Sequence, residues 1–248
     1  MIAQLLESFK AYLSGFHLLT RLKLWRYFLV PIAISFLTAV VILITAFVFA
    51  DDIGAYIGEL WKWDFGKSTF SAVSSFFSGA VIIVIGLILY KHIVMAIVSP
   101  FMGPVSEKIE AHLLGGKASV SDSSFSKLLL RGIRLNLRNL FRELLLTLPL
   151  LLLSLVPVLG IIFTFIIFLI QSYFAGFGNM DYTLERHYSY RDSIRFVQNN
   201  KGLALGNGIV FLFILLIPVF GFILVLPLSV AAASVQTIRK NQSLALKE

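Results

Sequence analysis

Four stretches of this chain, residues 27–50, 68–90, 144–180 and 202–238, contain no charged side chain. A helix rises about 1.5 Å per residue and the hydrocarbon core of a bilayer is about 30 Å thick. The first stretch (24 residues) and the second (23 residues) are therefore each long enough for one crossing. Nor is there enough polar surface for a water-soluble globule. Of 248 residues, 58% are hydrophobic and 14% charged, with a mean hydropathy of +0.90, where a soluble domain carries about a quarter charged. The expected class is an all-α integral membrane protein built as one domain.

The third and fourth stretches are 37 residues each, and each is broken by a similar motif. One reads Leu155-Val156-Pro157-Val158-Leu159-Gly160, the other Ile217-Pro218-Val219-Phe220-Gly221. Proline lacks the helical N–H and glycine accepts turn geometry, so Pro-x-x-Gly inside an apolar run makes a helical hairpin. Two crossings need about 40 residues plus a turn. The arms 144–156 and 202–217 are short for that, which favours hairpins that enter and leave on one side. Extending the first arm back into Arg142 and Glu143 is the competing reading.

Charge gives the orientation. Residues 51–67 carry Asp51, Asp52, Glu59 and Asp64 against Lys62 and Lys67, while the other 19 of the 21 Lys and Arg fall on the opposite side if both hairpins return to it. Basic residues mark cytoplasmic loops, so both termini are expected in the cytoplasm, and the net charge of +8 is assigned to loops rather than to nucleic acid. The segments follow: an interfacial helix (1–22), a first span (27–50), a periplasmic loop (51–67), and a second span with a cytoplasmic extension (68–114). After these come a basic amphipathic helix (124–143), hairpin one (144–180), a charged connection (181–201), hairpin two (202–238) and a tail (239–248). The first apolar run begins near Tyr27, after Glu7 and Lys10 and without a small-residue cleavage site, so no cleavable leader is expected.

Catalysis and metal binding find little support. There is no cysteine, and His17, His92, His112 and His187 lie far apart without ligand spacing. No nucleophile elbow, cofactor motif or metal set is present, and no enzyme is expected. Interest falls instead on polar residues beside the apolar runs. In the first helix Leu5, Leu6, Phe9, Tyr12, Leu13 and Phe16 recur at helical spacing, as in a helix lying in the interface. Arg131, Arg134, Arg138 and Arg142 form one stripe opposite Leu129, Leu130, Ile133, Leu137 and Leu140. The stripe either rests on anionic headgroups or lines an anion vestibule. The tips Pro157, Gly160, Pro218 and Gly221 either present helix N-termini to an anion at membrane depth or are simple tight turns.

Just past the second span, Pro100, Gly103 and Pro104 are expected to break or kink the chain. Glu107 and Glu110 then share a helical face near Lys108 and His112. On an anion's path these carboxylates require neutralising arginines, for which Arg131, Arg134, Arg138 and Arg195 are the candidates; otherwise this is a solvated cytoplasmic helix. The connection with Asp181, Glu185, Arg186, Arg191, Asp192 and Arg195 has the balanced charge of a helix ion-paired to that region.

Ser99-Pro100-Phe101-Met102-Gly103 followed by Glu107-Lys108-Ile109-Glu110-Ala111 resembles the Pro-Phe-x-Gly…Glu-x-x-Glu-Ala segment of the CysZ sulfate permease family, within the CysZ/etoposide-induced membrane proteins. Gly15-Phe16 with a basic loop, Pro31 in the first span, Asp181-Tyr182 and the two Pro-x-x-Gly hairpins extend the likeness along nearly the whole chain. The resemblance implies proton- or gradient-linked sulfate uptake across the bacterial inner membrane, feeding cysteine synthesis. It also implies two long spans with two pairs of partly penetrating helices, homo-oligomers, and Glu107 and Glu110 at the pore entrance. The family often has arginine where this chain has His112. Its sulfate-contacting Gly-hydrophobic-Arg-Arg motif matches Lys23-Leu24-Trp25-Arg26, in which Arg26 is kept and Lys23 and Arg21 offer positive charge nearby. The partners expected are therefore sulfate or a related anion and membrane lipids, with no cofactor. The competing function is a non-transporting scaffold that shapes the bilayer with wedge-like hairpins.

Overall fold

The computed structural model describes residues 2–59, 67–116, 124–154, 159–217 and 220–245. Pro157, Pro218 and residues 60–66 of the loop expected after the first span lie outside these, while residues 51–59, expected in that loop, continue α2 as helix. The described residues form α1 (Ile2–Arg21), a 3₁₀ turn (Leu24–Phe28), α2 (Leu29–Glu59), α3 (Lys67–Leu113), α4 (Phe125–Leu153), α5 (Leu159–Leu184), α6 (Tyr190–Asn199), α7 (Lys201–Leu215) and α8 (Phe220–Ala245), with no strand among them. Four segments are long and apolar enough to cross a membrane: Leu24–Thr45, Ile85–Leu113, Gly160–Leu184 and Ile223–Leu244. The molecule is a multi-pass membrane protein.

Both long apolar stretches are helix–break–helix units. In the first, Arg131 meets Asp181, Arg138 stacks on Phe177 and Lys91 ties Glu143 to Gln171, so α4 and α5 run antiparallel. In the second, Asn207 bonds Ser229 and Gln236 bonds Leu203, which makes α7 and α8 antiparallel too. The glycines close the reversals. A Cβ at Gly160 would lie 2.3 Å from the Ser154 carbonyl oxygen, and one at Gly221 would lie 2.4 Å from that of Ile214. Any larger residue would push the second helix off the end of the first.

The two units interlock through α5 and α7. A Cβ at Gly208 would lie 1.6 Å from the Ser172 carbonyl oxygen, and one at Gly176 would lie 1.8 Å from that of Ala204. Small residues allow this approach, and close packing replaces the hydrophobic drive that helices in lipid lack. Asn179 and Asn207 complete the seam with an amide–amide hydrogen bond of 2.9 Å. Around it, α1 docks on α7 and α8, and α2 leans on α3, where the Ser35 and Tyr90 hydroxyls pair.

Three local expectations change. Of the break or kink expected at Pro100, Gly103 and Pro104, the break is excluded, because both prolines sit inside α3, which runs to Leu113. Pro100 removes the donor for the Ala96 carbonyl, and α4 crosses there, with Gly132 against Ala96 and Ser99. Residues 125–153 are one 29-residue helix, α4, so the first arm of that hairpin extends back through Arg142 and Glu143. In α1, Tyr12 does not face the lipid boundary. It is buried, and its hydroxyl donates to the Asn207 carbonyl at 2.8 Å.

Candidate functional site

The polar centre of the molecule is built on the inward face of α4. Gly132, Asn136, Asn139, Glu143 and Thr147 recur at spacings of three and four and are all buried. Leu130, Ile133, Leu137, Phe141, Leu145 and Leu152 are exposed on the other side. This is the amphipathicity of a helix that turns apolar residues to lipid and polar ones to its neighbours.

Opposite that face stand Lys91 and His92 of α3. The Lys91 ammonium donates to Glu143 Oε1 at 2.5 Å and to the Gln171 carbonyl at 3.0 Å. His92 places Nε2 at 2.9 Å from Glu143 Oε2 and Nδ1 at 3.3 Å from Asn136 Oδ1. Lys91 and Glu143 are completely buried and His92 is 3% exposed. Ionisable groups at this depth are costly, so they persist only when paired, and they mark function more often than packing. A shallow cavity of about 140 Å³ between α3 and α4 has His92 and Asn136 in its wall.

A second charged layer lies near the ends of α3 and α5. Glu110 is buried between Arg186 (2.7 Å) and His187 (2.9 Å). Arg131 grips Asp181 with two hydrogen bonds, of 3.0 and 3.2 Å, and also donates to the Tyr188 carbonyl and Ser193 Oγ. Such planar bidentate pairing fixes geometry as well as charge. Between these pairs sits Glu185, whose two carboxylate oxygens are buried without a hydrogen-bond partner among the described residues. Burial, and then the neighbouring Asp181 charge, push its carboxyl up to about 8, against the opposing pull of Arg131 and Arg186.

The sequence candidates divide. Glu110 and Arg131 belong to this layer, but they are not partners of one another. The neutralising arginine for Glu110 is Arg186, not Arg131, Arg134, Arg138 or Arg195. Glu107 makes no ion pair among the described residues, and His112 is exposed. Arg134 stacks on Tyr190 at 4.5 Å, and Arg195 makes an exposed 3.6 Å contact with Asp192. Gly160 and Gly221 sit at the reversals, as described. Arg21, Lys23 and Arg26 are exposed around the 3₁₀ turn, which is anchored by the buried Leu24 and Phe28. The Arg26 guanidinium and the Lys108 ammonium both lie over the Tyr27 ring, at 5.2 and 5.9 Å. Lys23 has φ +52°, the left-handed region. That conformation favours glycine, which the resemblance puts at this position.

Sequence reading missed Lys91, His92 and Glu143 as a site because each borders an apolar run. The periodicity 132, 136, 139, 143 and 147 was the available signal for α4. Nothing local signals Lys91 or Arg186, whose partners are 52 and 76 residues away. Among the described residues no group of three or more His, Asp or Glu is placed to hold a metal ion.

A family model described as sulfate transporter CysZ/etoposide-induced protein 2.4 matches residues 11–225. No curated protein matches the chain.

Proposed function

We propose, because the chain belongs to the sulfate transporter CysZ/etoposide-induced protein 2.4 family, that it passes sulfate or a closely related small anion across the bacterial inner membrane for sulfur assimilation. It works as a homo-oligomer with both termini in the cytoplasm. The observation that carries the reading is the exposed cationic group on the 3₁₀ turn. Arg21, Lys23 and Arg26 have no acidic partner among the described residues, and Lys108 approaches the same ring as Arg26. Unpaired guanidinium and ammonium groups around a turn suit capture of a hydrated dianion, with bidentate contact from arginine.

Behind this entrance the second charged layer, from Glu110–Arg186 to Arg131–Asp181, keeps its carboxylates neutralised and so does not repel an approaching anion. The hairpins dip into the bilayer from the basic face, with Gly160 and Gly221 close to their tips at membrane depth. Irregular backbone there is tolerable only inside protein or along a water-filled path.

Radiolabelled sulfate flux into proteoliposomes tests the reading. Flux above that of empty vesicles is expected, with a loss of about tenfold or more in Arg26→Ala combined with Lys23→Ala. Folded protein without flux defeats it, and liposome tubulation without flux would establish the scaffold role instead. Cysteines placed at Leu159 and Phe220 test the depth. Labelling of both from the periplasm, as freely as in a loop, rules out hairpins that enter from the basic face.

A further inference from the structure

Between α4 and α5 runs an open groove of about 320 Å³, walled by Arg138, Arg142, Leu145, Leu146, Phe174 and Phe177. Its two guanidiniums stand one helical turn apart and form no ion pair with a carboxylate among the described residues. Arg138 lies over the Phe177 ring at 5.4 Å and donates to Asn139 Oδ1. The groove is polarised along its length. Its cationic part is on the same side as Arg131 and Arg134, and its hydrocarbon part, from Leu145 onward, points toward the reversal after Leu153.

We propose that this groove is a binding site for one anionic phospholipid, with its phosphate on Arg138 and Arg142 and an acyl chain along Leu145, Leu146 and Phe174. Like charges one turn apart on a helix repel, and a phosphate bridging them reverses that cost. A free dianion meets only half the site, because apolar and aromatic walls would strip its water without replacing it. A lipid satisfies both parts, and the order of polar and apolar along the groove is the order in which a lipid lies in a leaflet. The proposal does not depend on anion permeation.

The full chain, purified in detergent, is titrated with dioleoylphosphatidylglycerol or dioleoylphosphatidylcholine, and bound lipid is counted by native mass spectrometry. The expected preference for phosphatidylglycerol is about 25-fold, at about fivefold for each guanidinium near the headgroup. Arg142→Gln, at an exposed side chain without an ion pair, lowers it about fivefold; adding Arg138→Gln brings it near unity, and the double lysine variant keeps most of it. Leu146→Trp, which fills the groove, weakens both lipids. Equal affinity of the unaltered protein for the two lipids overturns the site, as does an undiminished preference in Arg142→Gln. Displacement of phosphatidylglycerol by an equal concentration of sulfate or inorganic phosphate also overturns it, by assigning the guanidiniums to a free anion.

Discussion

The two helix–break–helix units share a sequence signature and do different work. The α7–α8 unit is held by small and uncharged residues: Gly202, Ala204, Gly206 and Gly208 are buried on α7, and Ser229, Ser234, Gln236 and Thr237 on α8. The α4–α5 unit buries Glu143 against Lys91 and His92, and joins Arg131 to Asp181. Its first helix has 29 residues against 15 for α7, about 44 against 22 Å. Only one of the pair is thus too short to reach across a hydrocarbon core of about 30 Å. A Pro-Gly break in an apolar run specifies a reversal and nothing more. Whether the hairpin holds shape or carries charge depends on which residues line its inward face.

Enlarging the small-residue seam separates the two units most sharply. Gly208→Leu places a side chain where a Cβ alone would lie 1.6 Å from backbone, and size-exclusion recovery of folded protein should fall to near zero. Leu137→Phe on the exposed face of α4 should leave recovery unchanged. Normal recovery of Gly208→Leu would mean that α5 and α7 are not so closely packed.

Charge burial in the α4–α5 unit comes next. Glu143→Ala leaves Lys91 without its carboxylate and should destabilise by about 3–5 kcal/mol, whereas Lys91→Met with Glu143→Leu should regain most of the loss. Unfolding in graded SDS measures both, and an additive double variant would show that the two side chains do not interact.

The exit of the same unit supplies a pH dependence that α7–α8 should lack. Glu185 keeps its proton to about pH 8 in the folded state, while an unfolded glutamate releases it near 4.3. The folded state therefore holds more protons between those values. The contribution is fully present below about pH 4.3 and is lost as pH rises through 8, by roughly 5 kcal/mol at most. Thermal unfolding of Glu185→Gln from pH 5 to 9 should be flatter than that of the unaltered chain; parallel profiles would place the proton elsewhere. The smallest effect is expected between the units, where Arg195→Ala removes an exposed contact worth less than about 0.5 kcal/mol. A larger loss in the same unfolding assay would mean that Arg195 has a second partner.

The all-helical class, the breaks in the two long apolar runs and the presence of several membrane-length helices were legible in the sequence because each is a local pattern. The interior of the charged unit was not. A glutamate next to an apolar run reads as the end of the run, and only its partner shows that it points inward. Glu143 finds that partner in α3, which Lys91 reaches from the far end of what looks like an ordinary span. Likewise Glu110 was legible as needing a cation, while Arg186 was one of several arginines with equal claim. At the 3₁₀ turn the reverse holds: Lys23 stands where the resemblance puts a glycine, and its backbone is left-handed.

The charges of α4 also have a consequence for biogenesis. Each arginine or acidic residue at the middle of a helix opposes transfer from the translocon into lipid by about 2.5–3.5 kcal/mol. A segment holding Arg138, Arg142 and Glu143 in succession is a poor passenger on its own as it leaves the ribosome. It becomes acceptable once α3 has presented Lys91 and α5 has emerged to close the other side. The order of synthesis thus makes α4 the last of the three to settle, and a chain truncated before α5 should stall with this helix outside the bilayer.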